Sequence, residues 1–378
     1  MTRAAFIAAY VRTPFTLAKK GALASVRPDD LGAHVIRALL QRTGVAGEEI
    51  EDVLWGCAFP EGEQGLNIGR VVGLLAGLPV TTAGATINRW CGSSIQAVQV
   101  AAGMIAMDAG DAFVAGGTES MSRVPMMGFN LSPHPSWSEQ EVRDFVNVGL
   151  TAERVAEQFG LTRQDQERFA FASHSKARQA QREGRLADEI APVAVGAATV
   201  AEDGCVRETS LQKLAELKPA FKPDGTVTAG TSSPMTDGAT ALLVCSEDYL
   251  NRRGLTPLAR IRSFAVSGCE PGVMGLGPIR SSQKALVRAK LSVADLDIVE
   301  MNEAFASQAE ACRRELAIPE EKLNIDGGGI AIGHPLGATG GRLIGKAAQL
   351  LKREKGRHAL ATQCIGGGMG IAMVLDAV

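Results

Sequence analysis

A chain of 378 residues, 46% of them hydrophobic and with a formal net charge of −2, can bury a large core and exceeds one ordinary domain. It has no run of five or more Lys and Arg, so it lacks the concentrated basic field that nucleic-acid or membrane-surface binding requires. The opening apolar stretch, Ala4 to Val11, is too short for a secretory signal or a bilayer span, and the final Asp-Ala-Val is no retention or peroxisomal tripeptide; a cytoplasmic protein is expected.

The first third alternates strand and helix. Strands are predicted over Ala4–Tyr10, Val53–Ala58, Ala85–Ile87 and Ala112–Gly116, and helices over Pro28–Arg42, Gly65–Ala76 and Ser93–Asp108. Strands separated by helical stretches imply βαβ units and a parallel sheet. From about Ser120 to Val244 the character changes to a loop rich in Pro, Met, His and Trp, amphipathic helices such as Thr162–Gly184, and glycine-rich connections. This reads as an insertion covering one end of the sheet. Alternation then resumes, with strands over Ala259–Val266, Ile298–Met301, Ala359–Gln363 and Gly370–Leu375 and helices over Ile279–Ala289, Glu303–Glu315 and Gly337–Glu354. The expected organisation is an N-terminal half at 1–119, a covering segment at 120–245 and a C-terminal half at 246–378. In each half a chemically capable residue starts a helix and the next strand runs into glycines. An internal duplication accounts for this and would set the two sites facing each other across a pseudo-twofold.

Seven cysteines, an odd number at wide spacings and without a CxxC, support neither a disulfide framework nor a zinc site. Cys57, Cys245 and Cys312 sit in apolar surroundings and read as core. Cys91 and Cys364 are set among glycines. In Asn88-Arg89-Trp90-Cys91-Gly92-Ser93-Ser94 the cysteine stands just ahead of a helix, whose free N–H groups favour thiolate; plain packing of a buried cysteine is the other account. The stretch from Asn324 to Gly341 has seven glycines around His334-Pro335. The imidazole there could take a proton from a thiol or donate one to an oxyanion, or serve only as a structural histidine. Neither a dinucleotide fingerprint nor a Walker lysine accompanies those glycines, which makes phosphate cradling the weaker option. Cys364 ends a strand before Gly366-Gly367-Gly368, whose amides suit an oxyanion hole, although a lone strand-end cysteine is commonly structural. Asn302 lies where a strand gives way to a helix and could orient a water; as sequence alone, an ordinary N-cap is the simpler account.

Taken together, Asn-x-x-Cys-Gly-Ser-Ser at 88–94, Asn-Glu-Ala-Phe at 302–305, Gly-His-Pro-Leu-Gly-Ala-Thr-Gly at 333–340 and Cys-Ile-Gly-Gly-Gly-Met-Gly at 364–370 resemble the thiolase family. Val-Arg-Thr-Pro-Phe at 11–15, Gly-Gly-Thr-Glu-Ser-Met-Ser at 116–122 and the segment 228–239 extend the resemblance over nearly the whole chain. It implies an α/β, thiolase-like fold in which two duplicated halves form a five-layered α-β-α-β-α core with an inserted covering segment. It also implies thiolytic cleavage of 3-ketoacyl-CoA, a reversible Claisen condensation run through an acyl-Cys91 intermediate. His334 would activate the nucleophile, and Asn302 would hold a water in one oxyanion hole. Cys364 would move the proton at the α-carbon, and the amides of Cys91 and Gly366 would form the other hole. Ser233, Met274 and Phe305 would line the pantetheine channel. Coenzyme A is then a substrate, with no metal or bound organic cofactor. A homodimer or homotetramer is expected, with room for a partner subunit of β-oxidation and none for nucleic acid or membrane.

The chain departs from the pattern in places. Many short-chain acetoacetyl-CoA thiolases carry a His-Met pair ahead of Gly-x-Thr-Ala-Glu, where this chain reads Val146-Asn147-Val148-Gly149. The preceding loop is shortened in the manner of the degradative 3-ketoacyl-CoA branch. Acceptance of medium or longer chains as well as acetoacetyl-CoA is therefore expected, with a biosynthetic acetyl-CoA acetyltransferase as the alternative. The stretch before the expected CoA helix is eroded to Ala201–Arg207, so a place for Arg207 near the adenosine end is only an extrapolation. Ketoacyl synthases lack the second cysteine, hydroxymethylglutaryl-type synthases use a catalytic Glu, and a non-catalytic acyl-CoA scaffold has no need of four intact segments.

Overall fold

The computed structural model describes residues 3–378. Strands β1 (Ala5–Arg12) and β2 (Thr16–Leu17) lead to α1 (Pro28–Thr43), β3 (Asp52–Gly56), α2 (Ile68–Ala76), β4 (Ala83–Ile87), α3 (Ser93–Ala106) and β5 (Ala112–Ser120). The covering segment carries α4 (Glu139–Val146), α5 (Val148–Gln158), α6 (Arg163–Arg182), the hairpin β6 (Val193–Val195) and β7 (Ala198–Val200), and α7 (Leu211–Ala215). Then come β8 (Thr236–Ser246), α8 (Glu247–Arg253), β9 (Ala259–Gly268), α9 (Gly277–Ala289), β10 (Ile298–Met301), α10 (Ala306–Glu315) and α11 (Gly329–Ile332). The chain closes with α12 (Leu336–Arg353), β11 (His358–Ile365) and β12 (Met369–Asp376).

The duplication is written in the strand order. One sheet runs β4-β3-β5-β8-β1 and the other β10-β11-β12-β9. Leu323, bridged in parallel to Val299 beside β10, supplies the counterpart of β4. In each, a parallel block is followed by two antiparallel neighbours. The two are joined where Phe6 and Ile7 pair with Arg260 and Ala259. Each sheet is thus mixed, not purely parallel, because β8 and β12 return antiparallel. The expected covering segment, 120–245, ends in a strand of the first sheet. Thr236–Ser246 lies between β1 and β5, fully buried, and belongs to the N-terminal half. Its apolar run, Ala-Leu-Leu-Val-Cys, is what a strand covered on both faces requires.

Three apolar clusters define the five layers. Leu31, Val35 and Ile36 of α1, with Ile68 and Val72 of α2, cover the outer face of the first sheet. Ile95 and Val98 of α3 pack with Leu343 and Ile344 of α12 between the sheets. Leu286 of α9 and Cys312 of α10 cover the outer face of the second. The central helix α12 reaches that depth because of its glycines: a side chain at Gly345 would strike the Tyr10 ring. Its buried cation Lys346 meets Glu189 at 3.0 Å and Asp326 at 3.1 Å, and Arg12 of β1 meets Glu189 and Asp203. Glu189 and Asp203 come from the covering segment, so these buried pairs clamp it to both halves.

Candidate active site

Cys91 lies between β4 and α3, with Gly92 in the cap position. The turn is tight. Trp90 sits at φ 44°, in the left-handed region that bulky residues avoid. Its amide donates to Asn88 Oδ1 at 2.8 Å and its carbonyl accepts from Ser93 Oγ at 2.5 Å. Cys91 keeps partial exposure on a cavity of about 520 Å³. Gly366, just past the end of β11, borders the same cavity, and its amide lowers the thiol's pKa.

His334 immediately precedes the turn into α12 and is 4% exposed. Thr339 Oγ1 donates to the Pro335 carbonyl (2.9 Å) and accepts from His334 Nδ1 (2.6 Å). That places the imidazole proton on Nδ1 and leaves Nε2 as an acceptor. Asn302 Nδ2 is 3.2 Å from Nε2. Asn302 is not the helix cap, because α10 begins only at Ala306 behind an extended Phe305. Its amide therefore donates to the histidine, and among the described residues its buried Oδ1 has no partner. Cys364 is buried in β11 and borders the same cavity. Ser233, Met274 and Phe305 also line it, with Val148 and Arg207. A neighbouring cavity of about 570 Å³ shares Arg207 and is lined by Arg178, Arg182 and His174.

Electrostatics corrects one expectation. Burial pushes the Cys91 thiol up to about 11, the Glu119 carboxylate adds to this, and the amides of Gly366 and Cys91 offset only part of it. Burial, aided by the Arg342 guanidinium, pushes the His334 imidazole down to about 3. The resting pair is neutral thiol and neutral imidazole, not the thiolate expected from the helix start, because desolvation outweighs a helix terminus one residue away. Cys364 is likewise held as a thiol, by burial and then by the nearby Cys91. Iodoacetamide labelling of Cys91, followed by peptide mass spectrometry, is therefore expected to accelerate about tenfold per pH unit between pH 7 and 9. A rate independent of pH would mean that the thiolate already exists.

Three contributors went unread as sequence. Glu119, within the quoted segment 116–122, accepts from the amides of Ala58 (2.8 Å), Phe59 (3.2 Å) and Gly337 (2.9 Å) and from Gln64 Nε2 (2.7 Å). It ties the end of β3 to the first turn of α12. A buried-strand glutamate is the signal that could have marked it. Thr339 lies inside the histidine motif, but its role depends on the helical turn that brings it back to Nδ1. Trp90 lies inside the cysteine motif, and its ring partners come from elsewhere in the chain.

Among the described residues no group of three or more His, Cys, Asp and Glu is placed to hold a metal ion, and no helix is long and apolar enough to cross a membrane. A family model described as thiolase, N-terminal domain, matches residues 5–248, and one described as thiolase, C-terminal domain, matches residues 255–377. The 3-ketoacyl-CoA thiolase of Bacillus subtilis (strain 168) is 45% identical over 386 residues, covering 98% of this chain and 99% of that protein. That of Colwellia psychrerythraea is 44% identical, covering 97% and 98%. A crystal structure of human mitochondrial 3-ketoacyl-CoA thiolase in complex with CoA superposes with a TM-score of 0.92 at 36% identity, covering 100% of this chain and 98% of that one.

Proposed function

The chain belongs to the thiolase family, and from that premise we propose that it cleaves 3-ketoacyl-CoA with free coenzyme A through a thioester on Cys91. The observation that carries this reading is one cavity bordered by Cys91, Cys364 and an imidazole of fixed tautomer, with Gly366, whose amide lowers the nucleophile's pKa, beside them. Cys91 Sγ attacks the C3 carbonyl as its proton passes to His334 Nε2. The C2–C3 bond breaks, the electron pair goes to C2, and the Cys364 thiol protonates it, releasing acetyl-CoA. Coenzyme A then passes its thiol proton to the Cys364 thiolate and attacks the Cys91 thioester; the shortened acyl-CoA leaves, and the freed Cys91 thiolate takes its proton back from His334. The amides of Cys91 and Gly366 hold the oxyanion on C3, while His334 and a water held on Asn302 bind the thioester enolate oxygen. A neutral resting pair suits this order: the thiolate forms only as the substrate carbonyl is attacked.

The pantetheine arm runs past Ser233, Met274 and Phe305, and the arginine-lined second cavity takes the phosphates, with Arg207 at the junction. Coenzyme A serves as substrate and no other cofactor takes part. Self-association as a homodimer or homotetramer is favoured by the open edge of β4 and by exposed Leu66, Leu74, Leu75 and Val80 beside it. The direction is degradative. The test is CoA-dependent loss of acetoacetyl-CoA and 3-ketooctanoyl-CoA, with acetyl-CoA as product. Cleavage of both supports the reading; strong preference for the four-carbon substrate favours the biosynthetic alternative, and cleavage of neither overturns both.

A further inference from the structure

One face of α12 is polar although the helix is buried. Thr339, Arg342 and Lys346 recur at helical spacing, which sets them in a single row. Each meets a different part of the molecule. Thr339 holds His334 Nδ1, Lys346 meets Glu189 and Asp326, and between them Arg342 Nη1 donates to Glu300 Oε2 at 3.2 Å. Glu300 belongs to β10, just ahead of Asn302, whose amide meets Nε2 of the same histidine. The ion pair and the Asn302–His334 contact are thus neighbouring rungs between the same two segments. A long helical side chain leans toward the helix N-terminus, so Arg342 leans toward the turn of Thr339 and His334.

Stability does not account for this pair. Both side chains are 0% exposed, and the desolvation of two buried charges commonly cancels their attraction. The contact is also sparse: among the described residues Glu300 Oε1 and Arg342 Nε and Nη2 have no partner. Its cation, moreover, opposes the chemistry next to it. The Arg342 guanidinium disfavours a positive charge on His334, yet the imidazole carries one from the attack of Cys91 until that thiolate is freed. A carboxylate on Arg342 offsets the opposition. We infer that Glu300 is a positioning residue acting through Arg342: as a carboxylate it balances the guanidinium and lets His334 take the Cys91 proton, and as the neutral acid it leaves Arg342 unbalanced and slows the attack. The inference rests on the thiolase reading and adds a control to its first step.

The groups that face Glu300 are Arg342 and Lys346 of α12, Asp326 ahead of α11 and Glu189 of the covering segment. Tyr10 of β1 stands near Arg342, Arg12, Glu189 and Asp203. Burial pushes the Glu300 carboxyl up to about 7; Asp326 and Glu189 add to this, while Arg342 and Lys346 offset only part of it. Cys91 and His334 titrate far from neutrality, so a rate that falls as the pH drops through about 7 is the mark of Glu300.

The test is the single-turnover rate at which saturating acetoacetyl-CoA, and 3-ketooctanoyl-CoA in parallel, acylates Cys91 in the full chain. It is read by intact mass after acid quench, from about pH 6 to about pH 8.5, a range that brackets the Glu300 titration. The wild-type rate is expected to fall about tenfold across that range toward acid. Glu300→Gln keeps the shape without the charge, and should be about tenfold slower at pH 8 and flat with pH. Combining it with Arg342→Met removes both charges; the double variant should regain most of the rate at pH 8 and also be flat. Because it leaves no unpaired buried charge, the double variant decides the matter even where the single one folds poorly. A fall near pH 7 that persists in either variant, or a double variant as slow as the single, would overturn the inference. A wild-type chain that is acylated at a rate independent of pH overturns it too and leaves the thiolase reading standing. No acylation of the wild type by either substrate removes both.

Discussion

Replacing Cys91 with alanine is expected to abolish the one-acetyl mass increase that the wild-type chain acquires from acetyl-CoA, and to lower kcat for thiolysis by about 10⁴-fold or more. The size follows from the arrangement. Cys91 is the thiol that keeps partial exposure on the cavity, and the Gly366 amide lowers its pKa. Cys364, the other thiol there, is buried and held more strongly protonated, so it is poorly placed to substitute as a nucleophile. The change removes one sulfur atom from a cavity wall, and an unchanged melting temperature serves as the control for folding. An acetyl adduct that persists in the alanine variant would move the nucleophile elsewhere.

Removing the His334 imidazole is expected to cost about 10²–10⁴-fold in kcat, the range of one general acid–base group. The more informative variant is Thr339→Val, which keeps the shape and deletes the hydroxyl that holds Nδ1–H. With the tautomer released, Nε2 carries the proton in part of the population and cannot accept one from Cys91. A loss of about 10–100-fold in kcat with little change in KM is expected, and Thr339→Ser should restore most of it. Equal losses for the Ser and Val variants, or a change confined to KM, would mean that Thr339 only packs against the ring.

The legible and illegible parts of this site differ in kind. The segments around Cys91, Asn302, His334 and Cys364 could be read because each joins a strand end to a glycine or a helix start, and such junctions are local in sequence. The two halves could be suspected from their recurring pattern, but the identical strand order became visible only when β8 was placed between β1 and β5. That strand lies more than a hundred residues beyond β5, and the covering segment between them hides its membership. Asn302 could be read as a cap, and only the extended stretch before α10 freed its amide for His334.

By itself the sequence determined which chemistry-bearing residues are present and which kind of element each one terminates, because capping, glycine content and strand patterning act over a few residues. Tertiary structure alone decided their protonation, since the desolvation that raises Cys91 and lowers His334 comes from both sheets and the covering segment closing round them. It also decided the tautomer of His334, the anchoring of its loop by Glu119 and the ring partners of Trp90. Each of these depends on groups brought together across the duplicated core, and dielectric and packing are properties of that enclosure, not of any segment within it.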